Sequence, residues 1–347
     1  MSEQKLLLSK KPKLTIATTV KNGAKYLCRT VSSILDQTFT DYEHVVVDGG
    51  SEDGTQKILE AYDHIKWISV PDTTVVEGQR SAISLSTGEY IMFCCVSDGY
   101  LDRSWFQRCV DILDSRPDIS LVYGLHKVKW EDGSLSPIIY SEIESAPPPQ
   151  GMAFFPYWLA TFFPFHEANM CVRTSVFKAI LPDSGDKSYC GRWSPFMKFR
   201  YNFNISGYLP YFEPIVACYT RVHNDSLNNS SYCGKKSRLV ETEFIRDVMD
   251  YRIDFLAGRI QHVFRDGNGR IIQTIHSREL PGYRRKVWQY RAYRNNYFDY
   301  IDPINLSYLR IKFNPKADRR PSGRVHNPDW SDTYSCFNKK VAAKTQR

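Results

Sequence analysis

Apolar and polar positions along the first 125 residues fall into a repeating order of short runs and helical stripes. LTIATTV (14–20) is a β-branched run, followed by the polar turn KNGAK. YLCRTVSSILDQ then places Leu27, Val31, Ile34 and Leu35 at helical spacing. HVVVDGG (44–50) is a second short strand ending in Asp-Gly-Gly, and SEDGTQKILEAYD reads as a loop entering a helix that Ser51 or Thr55 can cap. IKWISV predicts a third strand and EGQRSAISLS a helix. EYIMFCCV predicts a fourth strand, apolar throughout, as parallel strands covered on both faces are. DRSWFQRCVDILDSR is an amphipathic helix and ISLVYGLHKVKW a fifth strand. Alternation of this kind implies a doubly wound α/β sheet, whose ligands sit at the carboxyl ends of its strands. Polar residues gather at three of those ends: Thr18 to Asn22, Asp48 to Asp53, and Ser97 to Asp102.

The pattern changes after Pro147-Pro148-Pro149. GMAFFPYWLATFFPF is too short and too interrupted by proline to span a membrane, and reads as a substrate-side insertion or an acceptor-facing helix. Residues 237–263 carry Val240, Phe244, Val248 and Phe255 in a long amphipathic helical pattern. VFRDGNGRIIQTI predicts a hairpin around Asp-Gly-Asn-Gly. YRRKVWQYRAYRNNYFDYI is basic and aromatic together, either a helix packing its rings on the domain or an interfacial helix turned toward anionic lipid headgroups. The last thirty residues read as loosely ordered. This divides the chain into an α/β domain over 1–230, for which the resemblance given below implies catalysis, and a helical, basic and aromatic extension over 231–347.

Charge sharpens that division. The 347 residues carry a formal net charge of +8, but residues 1–120 hold 13 Lys/Arg against 17 Asp/Glu, whereas 235–347 hold 24 against 12. A basic last third is either a solvated surface or a contact for an anionic partner such as a membrane face, a phosphorylated acceptor or nucleic acid. No nucleic-acid-binding motif accompanies the charge, so no nucleic-acid partner is expected. The nine cysteines are scattered without a Cys-x-x-Cys pair, which indicates neither a disulfide framework nor a zinc site. With no apolar run of membrane-spanning length and no signal-peptide pattern, the expected location is the cytoplasm, either free or peripheral on the inner face of the membrane.

The stretches TIATTVKNGAKYLCRTVSSILDQTFTDYEHVVVDGGSEDGT, STGEYIMF and SDGYLD, followed by ANMCVRTSVF and GYLPYFEPIVACYTRVHNDS, resemble the GT-A-fold inverting glycosyltransferases of family 2 over roughly residues 12–228. The resemblance implies a GT-A type doubly wound mixed sheet flanked by helices. It also implies transfer, with inversion, from a nucleoside-diphosphate sugar, most simply a UDP-sugar, to a glycan or lipid-linked glycan in cell-surface polysaccharide synthesis. It places Thr18, Val20, Asn22 and Asp48 beside the nucleoside, Ser97 and Arg80 near the nucleotide, and Arg221 near the phosphates. Asp53 reads instead as a loop-shaping residue. A divalent cation, Mn2+ or Mg2+, is implied at the end of the fourth strand, with Asp98 as ligand and His223 as a further contact. Here the chain departs from the pattern, because Gly99 stands where a second carboxylate is usual, and Asp102 can simply begin the next helix. The general base is also displaced. The family position in RWSPFMKFRYNFNISGYLP falls on Pro195, Phe196 or Lys198, none of which is a base. Glu167, Asp183 and Asp186 are the nearby acids, with Glu167 preferred and Asp186 as the second candidate. The missing carboxylates leave an alternative open: a degenerate GT-A domain that binds nucleotide or glycan without turnover.

Overall fold

The computed structural model describes residues 11–70, 75–138, 147–161, 167–181, 195–223, 258–279 and most of 247–255. The first half alternates as its pattern predicts. It runs through β1 (Leu14–Val20), α1 (Ala24–Leu35), β2 (Tyr42–Asp48), α2 (Thr55–Glu60), β3 (Ile65–Ser69), α3 (Val75–Leu85) and β4 (Tyr90–Phe93). A two-residue strand β5 (Gly99–Tyr100), which the sequence pattern does not foretell, then precedes α4 (Trp105–Ser115) and β6 (Ile119–Lys129). The rest comprises α5 (Phe154–Thr161), a 3-10 turn over Glu167–Asn169, β7 (Met170–Arg173), α6 (Thr174–Ile180), α7 (Pro195–Ile205), β8 (Leu209–Arg221), β9 (His262–Arg265) and β10 (Ile271–Ile275).

Eight strands form one mixed sheet in the order β3-β2-β1-β4-β7-β6-β8-β5. The β3-β2-β1-β4 half is parallel, in register from Leu14 opposite Tyr42 and Tyr90. β7 runs antiparallel to both β4 and β6, and β5 antiparallel to β8. The helical stripe of α1 buries Leu27, Val31 and Ile34, and the first two join Val20, Val46, Leu59 and Ile65 in one cluster beside the sheet. Each such side chain stabilises the fold by about 1.5–3 kcal/mol when fully withdrawn from water. Because β1, β2 and β4 are parallel and fixed by this packing, their carboxyl ends open on one edge.

The described residues fall into two compact units. The first holds the eight-stranded sheet and also residues 261–275, so β9 and β10 belong with it and not with a separate extension. The hairpin forms around Asp266–Gly269, as its sequence predicts, and Arg265 donates its N–H to the Gly207 carbonyl (2.8 Å). Gly207 has φ +79°, and a Cβ there would lie 1.7 Å from the Val263 carbonyl oxygen, so only glycine fits. The second unit includes part of α5 and described residues between His223 and Ile260. There Trp158 meets Tyr251 edge-on at 6.4 Å, and Val248 and Phe255 are buried. The predicted helix over 237–263 stops short, because 258–260 form a turn and β9 begins at His262. The basic aromatic stretch 283–301 and the last thirty residues lie outside the described residues.

Candidate active site

The loops after β1 and β2 are knitted together by side chains that accept from each other's backbone. Asn22, at φ +52°, donates its N–H to Ser51 Oγ (2.7 Å) and accepts from Glu52 N–H through Oδ1 (2.9 Å). Asp53 accepts from Ala24 N–H (3.0 Å), Thr55 N–H (3.1 Å) and the Thr55 hydroxyl (2.5 Å), which ties the start of α1 to the start of α2. The loop-shaping role expected of Asp53 matches this geometry. Neither Ser51 nor Thr55 makes the expected cap. The residue preceding α2 is Gly54, with a left-handed backbone and no side-chain cap.

Asp48 is fully buried at the end of β2. It accepts from the Ser51 amide and hydroxyl, from Gln56 Nε2 (2.9 Å) and from the Ser69 hydroxyl (2.8 Å). Burial pushes its carboxyl up, but the Ser51, Gln56 and Ser69 hydrogen bonds outweigh that and hold it below the usual carboxylate range. Thr18 and Val20 are also withdrawn. The Thr18 hydroxyl pairs with His44 Nε2 (3.0 Å), and Val20 packs in the α1 cluster. Their side chains therefore cannot reach a nucleoside, which leaves them only backbone groups to offer. Burial drives His44 down to about 3, so the ring facing Thr18 is neutral. Arg80 sits half-buried on α3.

The chemistry concentrates after β4. Ser97 holds a left-handed backbone at φ +85°, a rare conformation for a non-glycine residue. The buried Thr30 hydroxyl on α1 fixes it, accepting from Ser97 N–H (3.1 Å) and donating to the Asp98 carbonyl (2.8 Å). Asp98 is 5% exposed, and its Oδ1 accepts the backbone N–H of Arg221 on β8 (3.0 Å). Glu167, from the 3-10 turn before β7, lies close enough for its charge to act on Asp98, and its Oε1 accepts from the Cys95 thiol (3.8 Å). Burial pushes the Asp98 carboxyl up to about 8. The Glu167 charge adds to this, while the Arg221 amide and charge oppose it. Burial likewise raises the Cys94 thiol far above its ordinary range, in keeping with a small apolar packing role.

Arg221 is 4% exposed, with its guanidinium 5.6 Å from the Tyr26 ring and 5.9 Å from the Tyr219 ring, and Nη1 donating to the Trp130 carbonyl (3.3 Å). Lys129 Nζ lies 4.6 Å from the same Tyr219 ring. Asp102 is committed to the turn into α4, where its Oδ1 accepts from the Ser104 amide (2.8 Å) and hydroxyl (2.6 Å). His223 belongs to the second unit, and Asp183 and Asp186 lie outside the described residues. Lys129, Tyr219, Thr30 and Cys95 escaped the sequence reading. A period-two count back from Arg221 along β8 puts Tyr219 on the same face and would have exposed that pair.

A divalent cation of the kind implied by the resemblance takes about six oxygen ligands, with one or two carboxylates from the protein. Among the described residues no three Asp, Glu, His or Cys side chains converge. Gly99 cannot supply a second carboxylate, since a Cβ there would lie 2.6 Å from the Tyr219 hydroxyl and 2.9 Å from Ser33 Oγ. Asp98 is itself buried, favours its neutral form and already accepts a hydrogen bond. The described residues do not fit a metal held by protein carboxylates at the end of β4.

A mixed sheet whose parallel half presents its strand ends to one polar edge, with Asp98 buried just after β4, has the architecture of a GT-A type domain. Two solved structures share the fold. TarS residues 1–349 of S. aureus, in complex with UDP-GlcNAc, superposes with a TM-score of 0.51 at 18% identity, over 70% of this chain and 66% of that one. The mannosyltransferase PcManGT of Pyrobaculum calidifontis, in complex with GDP-Man and Mn2+, gives 0.52 at 14% identity, over 98% and 82%. Residues 15–180, just under half of the chain, match the model described as glycosyl transferase family 2. Among curated proteins, the chondroitin synthase of Escherichia coli is 31% identical over 134 residues, 37% of this chain and 19% of that protein. The chain thus spans only about a fifth of that relative's length.

Proposed function

We propose that the protein is a glycosyltransferase of polysaccharide synthesis, moving a sugar with inversion from a nucleoside-diphosphate sugar to a glycan or lipid-linked glycan. The approach of Glu167 to Asp98 at the carboxyl end of β4 carries this reading, because it brings two carboxyl groups to the edge where a GT-A domain takes its donor. UDP-GlcNAc in TarS and GDP-Man in PcManGT support a nucleotide-sugar donor, and the chondroitin synthase supports a polysaccharide product.

In this mechanism the nucleoside lies against the Asn22–Ser51 loops, and the diphosphate lies toward Asp98, Arg80 and Arg221. Glu167 takes the proton of the acceptor hydroxyl as its oxygen attacks the anomeric carbon, and the bond to the diphosphate breaks on the opposite face. Asp98, held near neutrality, hydrogen-bonds the donor instead of repelling its phosphates. Mn2+ or Mg2+ has no step here, because the described side chains do not fit it. The basic residues beyond 280 are the proposed contact with an anionic membrane face.

A thermal-shift screen of UDP, GDP and their common sugars tests the reading, since a ligand bound to the native state raises its apparent stability. At least one nucleotide sugar is expected to raise the Tm by several degrees. No shift with any nucleotide would overturn the proposal, and a shift without turnover would mark a degenerate binding domain.

A further inference from the structure

The charge around Arg221 is unbalanced on one side. Lys129, at the end of β6, and Arg29, on the second turn of α1, form no ion pair among the described residues. Lys129 lies within electrostatic reach of both Arg29 and Arg221. The ion pair of Lys25 Nζ with Glu131 Oε1, at 3.4 Å, involves neither of them. Three cations therefore share one face of α1, β6 and β8. Two of them rest on the Tyr219 ring, whose negative face offsets part of their charge. Arg221 is almost wholly buried, and its five N–H donors meet the Trp130 carbonyl and the Tyr219 side chain, both neutral groups. Burying a guanidinium is costly unless an anion or several acceptors meet it.

The same residues close the alternative. Tyr219 carries the cations on its ring, while its hydroxyl takes the space that a side chain at position 99 would need. The strand that brings in positive charge thus also excludes the negative charge a metal would need.

We infer that Lys129, Arg221 and Arg29 form a phosphate-binding cradle, steadied by Tyr219 and Tyr26, that takes the diphosphate of the donor so that nucleotide binding needs no divalent cation. This rests on the nucleotide-sugar reading given above. Guanidinium and ammonium groups suit the task, because both donate charge-assisted hydrogen bonds to phosphate oxygens.

Calorimetric titration of the full chain with UDP, GDP, uridine, guanosine and pyrophosphate, each in EDTA and in Mn2+, tests the inference. UDP or GDP should bind in EDTA within about threefold of its affinity in Mn2+, and binding should weaken as salt rises. Lys129→Ala should weaken the diphosphate about tenfold, the loss of one charge-assisted hydrogen bond, and leave the nucleoside unchanged. Lys129 is partly exposed, so this variant should fold, and Arg29→Ala, also at an exposed position, gives a second reading of the same charge. Pyrophosphate binding that falls in parallel would place the effect on the phosphates. Diphosphate binding only in Mn2+, or unchanged affinity in both variants, would overturn the cradle while leaving the glycosyltransferase reading intact. Failure of every nucleotide to bind would overturn both.

Discussion

The Tyr219 hydroxyl stands 2.6 Å from where a Cβ on Gly99 would be, and the two residues face each other across the β5–β8 pair. The glycine is therefore a packing requirement of this sheet edge as well as a departure from the metal-binding pattern. Gly99→Asp should not create a metal site. It should overpack a buried tyrosine and cost about 1–3 kcal/mol. Urea unfolding checks the stability, and Mn2+ titration of the variant should detect no new site. Tyr219→Ser in the same chain should recover part of the loss, because the clash is with the ring.

Thr30 serves the backbone on both sides of Ser97, as acceptor for its N–H and donor to the Asp98 carbonyl. Thr30→Val keeps the shape and removes both bonds. It leaves a strained segment with two buried, unsatisfied groups, at a cost of about 1–3 kcal/mol each. Unfolding should show this loss, with donor affinity falling alongside it because Asp98 is no longer fixed. Thr30→Ser retains the hydroxyl and should restore most of both.

The Asp98 carboxyl gives a pH signature. Its pKa is near 8 in the folded chain, raised by burial, against 3.8 for the ordinary group. Between those values the native state holds a proton that the unfolded state has released, so stability falls as pH rises from about 4 to 8. Below 4 both states are protonated and the effect vanishes. Asp98→Asn keeps an acceptor for the Arg221 N–H and removes the titration. Its stability should exceed that of the wild type by an amount that grows between pH 5 and pH 8, read as Tm against pH. A constant difference across that range would contradict the assignment.

Asp48 should behave oppositely, because its hydrogen bonds favour the charged form. Asp48→Ala leaves Ser51, Gln56 and Ser69 without their common acceptor and should cost about 2–4 kcal/mol. The Asn22–Ser51 contact should loosen with it, weakening nucleoside binding. Denaturation and uridine or guanosine titration check the two effects.

Much of the architecture was legible in the sequence because each element of the first half carries its own period: β1 to β4 as apolar runs, and α1 and α4 as buried stripes. Strand β5 was not, since two residues hold no period, and its pairing depends on β8 more than a hundred positions away. The site divides along the same line. Asp98 and Asn22 stand out because they end apolar runs, and Asp53 because its loop is short. The cation pair on Tyr219 draws on two strands, and its meaning comes from what surrounds Gly99. The covering of the Thr18 and Val20 side chains, by His44 and by the α1 cluster, depends on tertiary packing that the strand's own pattern does not carry.

The most direct measurement is release of nucleoside diphosphate from a panel of UDP- and GDP-sugars by the wild type and by Glu167→Gln, with donor affinity measured on the same samples. The wild type should release nucleotide from at least one donor, with or without an acceptor glycan. The variant should bind that donor equally well and turn it over about 10²-fold or more slowly, as removal of a general base requires. Donor binding with no release by the wild type, or an undiminished rate in Glu167→Gln, would contradict a transferase that uses Glu167 as its base.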